Sequence, residues 1–149
     1  MEPVVKRSDT RSKSMPANPE EAFAAMSDPQ RMARWWGPAG FRNTIHEFDF
    51  REGGQWLLTL HGPDGKDYPN ESRFRRLIPG RLFEIEHFSG HHFFLTIELV
   101  RQASGTMVHW QQTFDSSEDH ERIAAFVATA NEQNLERLAA EVGRGEGAA

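Results

Sequence analysis

Residues 81–115, RLFEIEHFSGHHFFLTIELVRQASGTMVHWQQTFD, carry the pattern that decides the fold. Phe83 and Ile85 share one face of a strand, with Glu84 and Glu86 on the other. Phe93, Leu95, Ile97 and Leu99 alternate with Thr96 and Glu98, and Val108, Trp110 and Phe114 with Gln111 and Thr113. A period of two with one apolar side describes strands whose sheet is dry on one face and wet on the other. Ser89-Gly90 and Ser104-Gly105 separate the runs by only a few residues, so successive strands are antiparallel.

Upstream the same alternation continues between the turn signals Gly53-Gly54, Pro63-Asp64-Gly65 and Pro79-Gly80. Strands are expected over 44–51, 55–61, 72–78, 81–88, 91–102 and 106–115. Phe48 and Phe50 face inward, as do Trp56, Leu58 and Leu60. Downstream, Ser116-Ser117 offer helix caps and Gly143 a stop, which predicts a helix over 118–142 about 37 Å long. Its apolar stripe is Ile123, Phe126, Val127, Ala130 and Leu138, with Leu135 at the edge.

Ahead of the strands, Asn18 caps a short helix over 20–26, with Pro19 at its first position and Glu20 and Glu21 at its positive end. Ala22, Phe23 and Met26 form its apolar side. Ser27-Asp28-Pro29 starts a second short helix reaching Trp35 or Trp36, and Gly37-Pro38 stops it. A strand poor in β-branched residues is expected over 11–15. Residues 1–10 are expected to be disordered, 11–142 to form one domain, and 143–149 to be a disordered tail.

A chain of 149 residues is long enough to bury a core without staples. It has no cysteine, which excludes disulfides, thiol nucleophiles and thiolate metal sites. The net charge of -5, from 17 basic against 22 acidic side chains, argues against a nucleic-acid partner. No apolar run approaches bilayer-spanning length, no membrane partner is expected, and the first residues lack the apolar stretch of a secretory signal. The chain therefore reads as cytoplasmic, as a monomer or homodimer.

Two short helices, six or seven strands in a meander and one long amphipathic helix are the parts of an α+β helix-grip fold, a curved antiparallel sheet wrapped around its C-terminal helix. Pro19-Glu20-Glu21-Ala22-Phe23 through Asp28-Pro29, Trp35-Trp36-Gly37-Pro38, and the run from Asp49 to Trp56 resemble the SRPBCC (START-like) superfamily. Gly62-Pro63-Asp64-Gly65 and Leu135-Glu136-Arg137-Leu138 resemble it too. Within it the chain is similar to the bacterial branch named for homology to the activator of the heat-shock-protein-90 ATPase, over roughly residues 11 to 142. The resemblance implies an apolar cavity between the last helix and the sheet. Members include lipid carriers, hormone receptors, aromatase/cyclase domains and co-chaperones, so it constrains architecture more than activity.

The inward aromatic residues point to the same cavity. Its expected lining is Trp36, Phe48, Phe50, Trp56, Leu58, Phe83, Ile85, His87, Phe93, Leu95, Trp110, Gln112, Phe126, Ala130 and Asn134. Asn134 falls inside the apolar stripe, either as a satisfied core amide or as a group that orients a ligand, and Gln112 invites the same two readings. By strand parity His46, His87 and His91 point inward. Lacking a helical His pair or companion carboxylates, they read as satisfied or rim histidines and not as a metal site. Arg76 is read either as an inward partner for a ligand carboxylate or as part of a solvated face with Arg73 and Arg75. Asp49 and Arg51 face outward and serve the glycine turn after them.

Three functions stay open. The leading one is binding of a small, largely apolar or aromatic molecule, with Asn134, Gln112 and His87 orienting it. The second is a cyclase- or dehydratase-type enzyme in the same pocket, with His87 and His91 as catalytic candidates. The third is a co-chaperone-like interaction module acting through its surface. No cofactor or metal is expected.

Overall fold

The structure, a computed structural model, describes residues 7–144. Its elements run β1 (Ser8–Met15), α1 (Pro19–Ser27), α2 (Pro29–Trp35), β2 (Arg42–Phe48), β3 (Gln55–His61), β4 (Asp67–Ile78), β5 (Leu82–His87), β6 (Phe93–Gln102), β7 (Gly105–Phe114) and α3 (Ser117–Arg144). The seven strands form one antiparallel sheet in the order β1-β7-β6-β5-β4-β3-β2. The meander from β2 to β7 is thus contiguous, and β1 closes onto its far edge. This is the α+β helix-grip arrangement. No helix among the described residues is long and apolar enough to cross a membrane.

Local chemistry sets the helix ends. Asn18 Oδ1 accepts from the Glu21 amide at 2.8 Å, and Asp28 Oδ1 from that of Gln30 at 2.9 Å. Ser116 Oγ accepts from the Asp119 amide at 3.1 Å. Proline opens both α1 and α2. The expected strand over 11–15 starts earlier, at Ser8, and pairs with β7 from Ser8↔Thr113 to Met15↔Thr106. Residues 8–10 therefore belong to the sheet, while residues 1–6 lie outside the described residues. At the other end α3 continues through Gly143 to Arg144. The rest of the expected tail, 145–149, also lies outside them.

Two β-bulges shape the sheet. In β2 the register shifts between Ile45 and Glu47, and in β4 between Phe74 and Arg76. Each extra residue reverses the inward–outward alternation beyond it. His46 is therefore exposed, its Nε2 2.8 Å from Thr59 Oγ1. Arg76 turns outward as well and pairs with Glu84 at 2.9 Å. Parity counted from Phe48 and Phe74 gives the opposite for both, and the bulges are the reason.

The core divides by residue type. Phe23, Phe48, Phe50, Phe74 and Phe83 pack through ring centroids 5.1–6.3 Å apart. The turn that carries Phe50 depends on Gly54, where a Cβ would collide with the Asp49 carbonyl. Asp49 and Arg51, paired at 2.9 Å, brace that turn from its solvent side. Next to the phenylalanines lie Trp35, Trp36, Trp56 and Trp110. Leu135, Leu138 and Val142 of α3 complete the core.

Candidate functional site

Beyond the tryptophans, between the first turns of α3 and the sheet, lie two adjoining chambers that share part of their lining. The inner one has a volume of about 140 Å³ and is walled by Trp36, Trp56, Leu58, Ser72, Leu95, Trp110, Asn131 and Asn134. The outer one, of about 580 Å³, reaches Phe41, Tyr68, His91, Phe114 and Ile123. Pro38, Leu60, Asn70, His87, Phe93, Gln112, Phe126, Val127 and Ala130 border both.

Strand register explains which side chains meet there. One row across the sheet reads Trp56, Ser72, His87, Phe93 and Phe114, and the next Phe74, Ile85, Leu95, Gln112 and Asp9. Polar residues thus reach the dry face at Ser72, His87, Gln112 and Asp9. Opposite them α3 presents Val127, Asn131 and Asn134, one to two turns apart and all buried.

Four expected lining residues do not reach the cavity. Phe48, Phe50, Phe83 and Ile85 lie in the phenylalanine end of the core, and Phe83 and Ile85 have no exposed surface. Trp36, Trp56, Leu58, His87, Phe93, Leu95, Trp110, Gln112, Phe126, Ala130 and Asn134 do border it. Phe126 sits at the mouth with 65% of its surface exposed. The buried face of α3 is accordingly turned from the expected stripe toward Asn131, Leu135 and Val142.

Asn134 is a satisfied amide. Its Nδ2 donates to the Trp35 carbonyl at 2.9 Å, and its Oδ1 accepts from the Gly37 amide at 3.3 Å. Arg137 completes this clamp by donating to the carbonyls of Arg34, Gly37 and Pro38 at 2.8–3.0 Å. Burial lowers the pKa of its guanidinium. Gly37, at φ +104°, gives the chain the turn that lays Trp36 along the cavity, a conformation that favours glycine. The indole N–H groups of Trp56 and Trp110 are enclosed and find no acceptor among the described residues. Trp36 packs beside both rings, at 4.8 and 6.1 Å.

The two candidate catalytic histidines differ. His87 stacks on Phe93 with centroids 4.4 Å apart, its Nδ1 lying 2.8 Å from the His91 carbonyl and its Nε2 2.8 Å from Asn70 Oδ1. Burial is the main cause that pushes its pKa below the ordinary value. His91 is exposed in the turn after β5 and meets His87 through its backbone oxygen. Among the described residues no three His, Asp or Glu side chains gather in a metal-binding group.

Sequence reasoning missed Asn70, Ser72 and Asn131. Asn131 lies four residues before Leu135 on the helix, so the spacing held the signal. Its polarity kept it out of a stripe drawn from apolar residues alone.

A sheet gripping a long helix, with a cavity between them, defines a helix-grip protein of the SRPBCC type. Residues 16–143 match the family described as "Activator of Hsp90 ATPase homolog 1-like protein", and the chain belongs to that family. Among solved structures it is similar to a protein from Arthrobacter aurescens, with a TM-score of 0.85 and 21% identity over 93% of this chain and 87% of that one. A protein from Chromobacterium violaceum gives 0.79 and 23% identity over 91% and 96%. An AHSA1-like protein from Aeromonas hydrophila gives 0.71 and 17% over 91% and 92%. Identities this low show a shared fold alone. No curated protein matches the sequence.

Proposed function

We propose that the protein binds a small, largely apolar or aromatic molecule between α3 and the sheet. The supporting observation is the two-chambered cavity itself, walled by Trp36, Trp56, Phe93 and Trp110 and flanked at its mouth by the exposed Phe126. Cavities of this size and lining, with a few polar groups, are the usual form of a small-molecule site. His87 has protein partners at both ring nitrogens, so neither nitrogen is directed unpartnered into the cavity. Binding is therefore better supported than cyclase or dehydratase chemistry. The family's name refers to an ATPase activator; a protein-docking role has no comparable observation behind it.

Native mass spectrometry of freshly purified protein, followed by thermal-shift screening of aromatic and polyketide-like compounds, tests the reading. A co-purifying molecule, or a stabilisation that rises with ligand concentration, is expected. An empty protein that no compound stabilises would count against it.

A further inference from the structure

The hydrogen-bond polarity of the inner chamber defines the buried end of the ligand, given the binding reading above. Arg11 Nε and Nη2 donate to the Asp9 carboxylate at 2.9 and 3.3 Å. An ionised carboxylate only accepts, so Asn131 turns its NH2 toward Asp9, with Nδ2 2.9 Å from Oδ2. The same NH2 donates to Gln112 Oε1 at 3.0 Å. This sequence of bonds fixes both amides. Asn131 Oδ1, an acceptor, and Gln112 Nε2, a donor, have no protein partner among the described residues, and neither has the Ser72 hydroxyl. Unlike the enclosed indole N–H groups, none of the three is sealed from space. All three residues border the inner chamber, where Ser72 and Asn131 are 4% and 7% exposed.

We propose that the inner chamber takes a hydroxyl-bearing, uncharged ring. Its hydroxyl donates to Asn131 Oδ1 and accepts from Gln112 Nε2, with Ser72 beside it. A volume of 140 Å³ is about that of the cavities that hold one benzene ring. The apolar remainder of the molecule extends into the outer chamber.

The surrounding charges disfavour the alternatives. A ligand carboxylate would leave the acceptor Asn131 Oδ1 facing an anion. The nearby cations do not offset this. Arg11 is paired with Asp9 and lies 3.8 Å from Glu132, and Arg137 is engaged with backbone carbonyls. His87 has its two ring nitrogens engaged by the His91 carbonyl and Asn70 Oδ1. An ammonium has no acceptor to offer Gln112 Nε2.

Calorimetric titration at about pH 7 with 2-naphthol, naphthalene and 2-naphthoate separates these cases. The hydroxyl compound is expected to bind about tenfold more tightly than the hydrocarbon, the gain typical of one or two satisfied buried groups, with the carboxylate weakest. In Gln112→Met the preference of naphthol over naphthalene should narrow severalfold, and Ser72→Ala, a smaller change, should narrow it less. Equal affinity for naphthol and naphthalene, a tighter carboxylate, or an unchanged preference in both variants would overturn the proposal while leaving cavity binding intact. Failure of all three compounds to bind would remove the binding reading itself, and the proposal with it.

Discussion

Replacing Glu141 with Gln should weaken the attachment of α2 to α3 by a pH-dependent amount. The Glu141 side chain is 2% exposed and receives Arg31 Nε at 2.9 Å and Arg34 Nε and Nη2 at 2.9 Å each. The Arg34 hydrogen bonds, then Arg31, outweigh burial and lower its pKa from 4.5 to about 2. At about 1.36 kcal/mol per pH unit that difference corresponds to roughly 3 kcal/mol. Arg34 is half exposed, so solvent screening reduces the figure to about 2–3 kcal/mol. Because the folded-state pKa is depressed, this stability is complete above about pH 4.5 and is lost as the pH falls toward 2. Urea unfolding followed by tryptophan fluorescence should show Glu141→Gln less stable by about 2–3 kcal/mol near pH 7, with less than half of that gap remaining near pH 3. A gap under about 0.5 kcal/mol, or one that stays constant between those pH values, would refute the reasoning.

His92 bridges Glu86 and Asp115 at 2.7 and 2.6 Å, and those bonds raise its pKa, Glu86 contributing first. Its stabilisation is complete below the ordinary pKa near 6.5 and fades as the pH rises through the folded-state value; His92→Gln should remove that slope in unfolding measured between about pH 6 and 8. Phe83→Ala, at a fully buried ring, should cost about 3–5 kcal/mol in denaturant unfolding, whereas Phe126→Ala at the exposed mouth should cost under about 0.5 kcal/mol. Asn134→Leu removes the partners of the Trp35 carbonyl and the Gly37 amide, and should lower stability by about 2–3 kcal/mol in the same assay.

Where the dry face alternates without interruption, the sequence carries the fold: β3 occupies 55–61 as its alternation and flanking turns require. Elsewhere tertiary pairing supplies what propensity lacks. Ser8–Met15 has no β-branched residue besides Thr10, and it becomes a strand because β7 offers an edge to pair with. β4 begins at Asp67, five residues ahead of the expected start. Pro69 is tolerated there because β5 pairs with β4 only from Ser72 onward, leaving that end of β4 at an edge. The bulges at residues 45–47 and 74–76 have no glycine to mark them, so parity misplaced His46, while Arg76 takes the solvated one of its two readings. The cavity is legible in its aromatic residues. Its polar wall is legible only at His87, Gln112 and Asn134, because Asn70, Ser72 and Asn131 interrupt the apolar pattern that identifies a buried face.

The central claim, an accessible apolar cavity that holds a ligand, is tested most directly by its own tryptophans. Trp36, Trp56 and Trp110 line the inner chamber, so an occupant should change their emission. Ala130 borders both chambers, and Ala130→Trp would fill the passage between them. Titrating the wild type and Ala130→Trp with 2-naphthol, excited so that tryptophan emission is resolved from the ligand's, should give a saturable one-site change in the wild type that weakens at least about tenfold in the variant. No saturable change in the wild type, or the same affinity in Ala130→Trp, would contradict the account.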